Sequence, residues 1–278
     1  MFLWIFFTMR WAIYRIHYGT DFLFQSIDSI LDSVDKVFVI YSLNPWVVKD
    51  TVNYLGNEIV MPKLHENVRE FMFYHFNGES KISLLQREFS TPLNQFRIMY
   101  DMCVDISPSD DPEFVLFMEP DMVFYKPDVG QLFKELLEAT NAPCVGTNQI
   151  ELWKNKEYRI PERKRIGPMI WHLGRAPNFS THFGTWHPQY QIVTDKIKNY
   201  NFGFCLSEKT MLYKHLAAIN FSDKIGDSIP SQEWYVDKWL NWTPETTDLE
   251  ISAAHKHFIP KAEPFRIKPE INNQVSSK

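Results

Sequence analysis

The hydrophobic positions near the amino terminus predict two buried strands joined by a helix. Residues 3–8 form a continuous apolar run, which is typical of a strand buried on both faces of a parallel sheet. From Asp21 onward, apolar residues recur at helical spacing, with Thr20 or Asp21 available as the N-cap. Residues 36–41 form a second apolar run. This order of elements predicts a right-handed βαβ unit and therefore an α/β fold.

The strongest strand pattern in the chain is the five-residue apolar run Phe114–Met118. Residues 64–90 show no clear periodicity, and beyond residue 142 short alternating segments predict antiparallel strands. The further predicted strands are 58–61, 122–125, 145–153, 169–173 and 251–259, and the further predicted helices are 93–106, 129–137, 207–219 and 232–239.

Composition indicates one globular domain with an unusually high content of aromatic residues. The chain has 278 residues, 45% of them hydrophobic and 23% charged, and no linker rich in glycine or serine divides it. Aromatic residues make up 15%, more than core packing alone requires. Because sugars present apolar C–H faces, some of these rings are candidates for a carbohydrate site, and the others are core residues.

Charge and cysteine content exclude several classes of protein. The net charge of −5, without a basic patch, argues against a nucleic-acid partner. Cys103, Cys144 and Cys205 are odd in number and widely spaced, which predicts neither a disulfide framework nor a zinc finger. The apolar start of the chain is too short for a membrane span and lacks the basic residues of a signal peptide. We therefore expect a cytoplasmic protein without a membrane span.

The segment Glu119-Pro120-Asp121 follows the strongest predicted strand and is the main candidate for chemistry. Ligands of open α/β sheets bind beyond the carboxyl ends of the strands. Side chains at i and i+2 of an extended chain point to one side, so both carboxylates are expected to converge on one small volume. Such a pair repels unless a cation joins it, and Mg²⁺ or Mn²⁺ typically bridges carboxylates and substrate phosphates. The alternative is a purely structural acidic pair.

Together with this motif, three other segments resemble glycosyltransferases of the GT-A fold, especially the family 2-like enzymes. These segments are the opening strand, the helix over residues 25–31 and the strand over residues 35–40. The resemblance implies a Rossmann-like α/β domain with a mostly parallel central sheet flanked by helices and a small antiparallel extension. It implies one catalytic domain over residues 1–278, with a nucleotide-sugar-binding half (1–128), an acceptor-binding half (129–262) and a carboxyl-terminal tail (263–278).

The resemblance also implies a reaction and a set of site residues. The reaction is metal-dependent, inverting transfer of a sugar from a nucleotide-diphosphate sugar, with a UDP-sugar as the expected donor, to a glycan hydroxyl. Asp121 is the expected ligand of Mn²⁺ or Mg²⁺, with Glu119 as its helper. Glu233 is the expected general base, with Asp237 as the alternative. His255 or His257 is the expected metal-ligating histidine, and the spacing does not decide between them.

The remaining candidates contact the donor or the acceptor. On the donor side we expect Glu119, Thr8, Tyr41 and Arg97, the last as the cation near the diphosphate. On the acceptor side we expect Trp171, His172 and Trp186, in a loop that closes over the donor and excludes water. The oligomeric state stays open. Two other functions compete: nucleotidyl transfer to a sugar phosphate, which lacks its glycine-rich loop here, and a non-catalytic carbohydrate-binding protein.

Overall fold

The structure, a computed structural model, describes residues 8–17, 19–44, 49–63, 67–88, 95–139, 141–161, 166–175, 191–220, 231–251 and 261–276. Trp186, His255 and His257 lie outside these ranges, as do residues 3–7 and most of the predicted last strand at 251–259.

Twelve strands and six α-helices are formed by the described residues, together with a π-helix over Tyr235–Leu240. In chain order they are β1 (Arg10–Ile16), α1 (Leu23–Ile30), β2 (Lys36–Tyr41), β3 (Thr51–Tyr54), β4 (Asn57–Val60), α2 (Val68–Phe76), β5 (Ile82–Gln86), α3 (Gln95–Ile106), β6 (Phe114–Met118), β7 (Met122–Phe124), α4 (Lys126–Glu138), β8 (Cys144–Trp153), β9 (Asn155–Arg159), β10 (Ile166–His172), β11 (Gln191–Phe204), α5 (Glu208–Asn220), β12 (Glu263–Pro264) and α6 (Pro269–Ser276).

Four parallel strands, in the order β5, β2, β1, β6, form the centre of the large sheet. Beyond β6, the antiparallel strand β10 and then β8, β9 and β12 continue the sheet, while β11 pairs with β8 and β7. We call the side where the four parallel strands end the carboxyl edge, and the side where they begin the amino edge. This arrangement confirms the predicted α/β fold class and the GT-A-type architecture that the resemblance implies.

Among the described residues, the first strand of the sheet is β1, Arg10–Ile16, which follows the predicted strand at residues 3–8 and was not itself predicted. Residues 3–7 of that predicted strand lie outside the described ranges. Two arginines interrupt the hydrophobic pattern of β1, yet six of its seven residues are buried. Arg15 is tolerated in the interior because its guanidinium pairs with the Glu119 carboxylate, a contact between residues far apart in sequence. Thr8 precedes β1.

Helices cover both faces of the parallel strands and bury alternate residues of each. On one face, Ala12, Tyr14 and Ile16 of β1 pack into a core shared with α1 and α4. On the other face, Trp11 and Ile13 pack with Met99 and Cys103 of α3. This burial on both sides explains why β2 and β6 appear in the sequence as continuous apolar runs.

Several elements were absent from the sequence-based prediction. The stretch 64–90 contains α2 and β5, and β3 is also new; it forms a separate two-stranded hairpin with β4, which matches the predicted strand at 58–61. The predicted helix over 232–239 is largely a π-helix. Helix α6, within the predicted tail, docks on the domain by burying Ile271, and its Gln274 Nε2 donates to the Phe124 carbonyl at 2.9 Å. Within the described residues, no helix is long and apolar enough to cross a membrane.

Candidate active site at the carboxyl edge of the sheet

The candidate site lies where the neighbouring strands β1 and β6 end. The two strands are parallel and paired from Arg10 with Phe114 to Tyr14 with Met118, so the segments that follow them leave the sheet side by side. A crevice too narrow to hold a water molecule lies between these segments. It is lined by Gly19, Asp21, Phe22, Pro120, Asp121 and Leu206. The crevice thus lies at the position where ligands of open α/β sheets bind.

Glu119 is held by an arginine of the neighbouring strand. Arg15 Nη2 of β1 forms a short contact with Glu119 Oε1. The Arg15 side chain is 5% exposed and that of Glu119 is 28% exposed, so this ion pair joins the ends of β1 and β6. The resemblance assigns Glu119 to the donor ribose or the metal shell. In the structure, one oxygen of its carboxylate, Oε1, is already paired with Arg15.

Asp121 occupies a different environment from Glu119, although only one residue separates them. A turn in which the Met122 amide donates to the Glu119 carbonyl follows β6, and the Asp121 side chain is 4% exposed. Burial, together with the carboxylates of Glu119 and Glu151, raises the pKa of Asp121 to about 6, against the opposing effect of Lys214. The two acids are close enough to interact electrostatically, but they face different cationic partners.

Gly203 and Lys214 form the wall behind Asp121. Lys214 Nζ donates to the Gly203 carbonyl at 2.7 Å and lies 3.9 Å from Asp121 Oδ2. A Cβ atom at residue 203 would lie 3.1 Å from that oxygen and 3.0 Å from Lys214 Nζ, closer than ordinary van der Waals contact. The glycine therefore leaves the space that the carboxylate and the ammonium occupy.

The other carboxylate oxygen of Asp121 is suited to a cation. Oδ1 is buried and accepts no hydrogen bond from the described residues. Leaving such an acceptor unpaired costs on the order of 1–3 kcal/mol, which a bound ligand would offset. The described residues contain no cluster of three or more histidine, cysteine or acidic side chains with metal-site geometry. Asp121 nevertheless fits Mg²⁺ or Mn²⁺, because such ions use one or two protein carboxylates and complete their shell with water and phosphate oxygens.

Glu233 and Asp237 are both exposed and lie beside the β3–β4 hairpin. Burial and these two carboxylates raise the pKa of Tyr54, the last residue of β3. The Gln232 side chain holds the hairpin, since its Oε1 accepts from the Leu55 amide at 2.6 Å and its Nε2 donates to the Asn53 carbonyl at 3.1 Å. In the described part of the chain, no hydrogen bond or ion pair joins Glu233 or Asp237 to Asp121.

The expected donor-binding residues are divided between the two edges. Tyr41 ends β2 at the carboxyl edge, where it is buried and its hydroxyl donates to Gln86 Oε1 at 3.1 Å. Arg97 lies in the first turn of α3, exposed and paired with Asp101 at 3.0 Å. That turn faces the carboxyl edge, because Ser107 at the other end of α3 contacts Lys36 at the start of β2. Thr8 precedes β1 and therefore lies at the amino edge.

Trp171 and His172 also lie at the amino edge, away from Asp121. In the antiparallel strand β10 they pair with Val115 and Phe114, the first residues of β6. Trp171 is 1% exposed within the core, and His172 Nε2 lies 3.2 Å from Glu113 Oε1. The expectation that both belong to a loop over the donor is therefore corrected: they end a strand, and the direction of that strand carries them to the opposite edge.

Sequence reasoning missed the basic residues of the site. Arg15 and Lys214 both lie in regular elements, and only the pairing of distant segments brings them to Glu119 and Asp121. Buried Glu151 of β8 likewise contributes to the electrostatic environment of Asp121. One signal was available for Arg15, because an arginine inside an otherwise apolar strand requires an acidic partner.

Comparisons with known proteins give structural neighbours only. No protein-family model matches the sequence, and no curated protein matches it. A crystal structure of Staphylococcus aureus TarS, residues 1–349, has a TM-score of 0.43 at 11% identity, covering 84% of this chain and 71% of that chain. The corresponding structure in complex with UDP-GlcNAc has a TM-score of 0.42 at 9% identity, covering 84% of this chain and 72% of that chain.

A 4-diphosphocytidyl-2C-methyl-D-erythritol synthase is a further neighbour, with a TM-score of 0.38 at 9% identity over 60% of this chain and 76% of that chain. At these TM-scores the similarity identifies neither a family nor a substrate. The function therefore has to be argued from the site itself.

Proposed function

We propose that this chain is a glycosyltransferase that moves a sugar from a nucleotide-diphosphate sugar to a glycan hydroxyl, with a divalent cation bound at Asp121. The observation that carries the proposal is a buried acid with an unpaired oxygen at the carboxyl edge. Asp121 lines the crevice between the segments that follow β1 and β6, and its Oδ1 is buried and accepts no hydrogen bond from the described residues. A carboxylate in that position is suited to a cation that carries a diphosphate.

Each group at the site has a role in this proposal. Bound Mn²⁺ or Mg²⁺ would supply positive charge against the leaving diphosphate. Asp121 would hold the cation, since its Oδ1 lacks a partner among the described residues while Lys214 lies 3.9 Å from its Oδ2. The Glu119 carboxylate, which is paired with Arg15, would contact the donor ribose. Tyr41 and Arg97 belong to the donor side of the carboxyl edge.

The acceptor hydroxyl requires a general base, which we assign to Glu233 with Asp237 as the alternative. Both carboxylates are exposed, and both lie beside the hairpin that Gln232 holds in place. A base that takes the proton from the attacking oxygen contributes roughly 10²- to 10⁴-fold to the rate. Attack opposite the leaving group inverts the anomeric centre. A histidine ligand from His255 or His257 and a contact of Trp186 with the acceptor remain part of the proposal.

Turnover of a nucleotide-sugar panel tests this function. Activity should require Mn²⁺ or Mg²⁺, should stop with EDTA, and should be lost in Asp121→Ala and Glu233→Gln. Full activity in either variant rejects the role of that residue.

The products separate the competing functions. Release of a nucleoside diphosphate supports glycosyl transfer, whereas release of pyrophosphate from a nucleoside triphosphate and a sugar phosphate supports nucleotidyl transfer. Glycan binding with neither product indicates a carbohydrate-binding protein.

A further inference from the structure

His215 of α5 is a buried histidine next to the segment that carries Glu233. The residue is 3% exposed, and its Nε2 lies 3.1 Å from the carbonyl oxygen of Gln232. A carbonyl oxygen only accepts, so Nε2 carries the proton and donates this hydrogen bond. Burial lowers the pKa of His215 against the effect of that bond, so the imidazole is neutral at neutral pH. The side chain therefore holds the backbone immediately before Glu233.

The same imidazole packs against the residues that follow Glu233. Its ring centroid is 5.5 Å from that of Trp234 and 6.4 Å from that of Tyr235, on which it stacks with an interplanar angle of 23°. Trp234 is held in turn by the hydrogen bond from its Nε1 to the Leu249 carbonyl at 2.7 Å. The exposed Glu233 thus lies between a hydrogen-bonded residue before it and two packed rings after it.

His215 also contacts the hairpin that Gln232 holds. Tyr54 of β3 meets the imidazole in a T-shaped contact, with ring centroids 5.8 Å apart and an interplanar angle of 80°. The Gln232 side chain binds the residues on either side of Tyr54, through the Asn53 carbonyl and the Leu55 amide. One histidine therefore contacts both the backbone that carries Glu233 and the hairpin beside it.

Helix α5 joins this segment to the other half of the candidate site. Lys214, the residue before His215, has its Nζ 3.9 Å from Asp121 Oδ2. Consecutive residues of one helix thus contact the donor-side acid and the segment of the proposed base. The rate of a transfer reaction depends on the geometry of the reacting groups, and a misplacement of about 1 Å can cost roughly 10²-fold. Helix α5 is therefore suited to set the spacing between Asp121 and Glu233.

Packing alone does not require a histidine at this position. The second ring nitrogen, Nδ1, is buried and has no hydrogen-bond partner among the described residues. An apolar ring would fill the same space without an unpaired nitrogen. What the imidazole adds to the packing is its hydrogen bond to the Gln232 carbonyl.

We propose that His215 is a positioning residue for the general base, which it holds through the Gln232 carbonyl and the rings of Trp234 and Tyr235. The proposal rests on the proposed function, which assigns the base to Glu233 with Asp237 as the alternative. Asp237 lies in the π-helix that begins at Tyr235, and its amide donates to the Glu233 carbonyl at 2.9 Å. The same contacts of His215 therefore position either carboxylate.

Steady-state kinetics of His215→Phe and His215→Gln test this role. Phenylalanine keeps an aromatic ring but cannot donate to the Gln232 carbonyl, whereas the amide of glutamine can. We expect kcat to fall about 10- to 100-fold in His215→Phe, with the KM of the nucleotide sugar unchanged, because the donor contacts are not altered. His215→Gln should recover most of kcat. An unchanged kcat in His215→Phe, or an equal loss in both variants, overturns the role of His215.

The matched control is Leu216→Ala. Leu216 is 5% exposed in the same helix, and the cavity left by its side chain should lower the free energy of unfolding without changing kcat per folded molecule. Chemical denaturation of each sample gives the folded fraction. A loss of kcat in Leu216→Ala as large as that in His215→Phe would attribute both losses to a loosened α5 and overturn the positioning role.

A double-mutant cycle shows whether His215 acts through the base. The residual transfer of Glu233→Gln is expected roughly 10²- to 10⁴-fold below that of the wild type. In this background His215→Phe should cause no further loss, since the group that it positions is gone. If Asp237 is the base, the loss disappears in the Asp237→Asn background instead. A full additional loss in both backgrounds overturns the proposal.

The wild-type protein separates this proposal from the proposed function. A wild type that transfers no sugar overturns the proposed function and, with it, the role of His215. Transfer by the wild type together with a wild-type kcat in His215→Phe overturns the role of His215 alone.

Discussion

The two edges of the parallel strands differ in how they treat their polar groups. At the carboxyl edge, Asp21 and Asp121 each bury an oxygen that has no donor among the described residues. At the amino edge the acids are paired, Asp110 with Lys36 and Glu113 with His172, although His172 Nδ1 also lacks a hydrogen-bond partner among the described residues. The comparison therefore concerns the carboxylates: the described acids of the amino edge are neutralised within the fold, whereas the carboxyl edge keeps buried carboxylate oxygens that a ligand could meet.

The largest effect should follow from removing the charge of Asp121. We expect Asp121→Asn to lower kcat/KM for the nucleotide sugar by about 10²- to 10³-fold, because it removes an electrostatic contact of the cation that faces the diphosphate. Steady-state kinetics with saturating Mn²⁺ give the value, with Asp32→Asn as the unaffected control. If kcat/KM of Asp121→Asn stayed within threefold of the wild-type value, Asp121 would not be a site residue and the carboxyl edge would not be the binding edge.

At the amino edge, by contrast, a substitution should lower the stability of the fold and leave turnover unchanged. Trp171 is fully buried against Cys144 and Val115, so Trp171→Ala should lower the free energy of unfolding by about 3–5 kcal/mol through the cavity it leaves. Turnover per folded molecule should be unchanged. Chemical denaturation and kinetics on the same sample measure both quantities, and an increase in the acceptor KM without loss of stability would restore Trp171 as a site residue.

The pH dependence of the free energy of unfolding should reveal the cost of burying the Asp121 carboxylate at the carboxyl edge. The folded-state pKa of Asp121 is about 6 against an ordinary value of 3.8, so between these pH values the folded chain retains a proton that the unfolded chain has released. In EDTA, the free energy of unfolding of the wild type should therefore fall relative to Asp121→Asn as the pH rises from 4 to 7, by about 2 kcal/mol. Denaturation curves of the two proteins across this range check the prediction. If the free energies of unfolding of the two proteins changed with pH in parallel, burial of the Asp121 carboxylate would not destabilise the fold.

The smallest effect should come from His172. Burial and the neighbouring Arg175 lower its pKa, against the effect of Glu113, so its pairing with Glu113 is weak near neutral pH. His172→Gln should change the free energy of unfolding by less than about 1 kcal/mol and leave both substrate KM values unchanged. A selective rise in the acceptor KM would place a functional residue at the amino edge.

The contrast between residues 36–41 and residues 10–16 shows how much of the fold was accessible from sequence. The first segment is a run of buried apolar residues, and its predicted bounds match β2. In the second segment the arginines mask the strand pattern, because the partner that neutralises Arg15 lies 104 residues away. Local hydrophobicity predicts burial well only when the buried side chains are apolar.

The candidate site shows the same division between local and distant information. The position of Glu119 and Asp121 after a strong strand was predictable, because parallel strands present their ligands at their carboxyl ends. The different surroundings of the two side chains were not predictable. Side chains at i and i+2 point the same way only on an extended backbone, and the turn at Pro120 interrupts it. The placement of Trp171 and His172 failed because the direction of β10 depends on its pairing with β6, which no local pattern encodes.

The sequence by itself determined the elements whose signal is local: the buried runs of β2 and β6, the helices α1, α3, α4 and α5, and an acidic pair at the end of a strand. The tertiary structure decided which charges meet. Arg15 reaches Glu119, Lys214 reaches Asp121, and Asp21 is tied to Ser207, which is 186 residues away. Such contacts depend on the order and direction of the strands, because the pairing of the sheet sets the distance between segments that are remote in the chain.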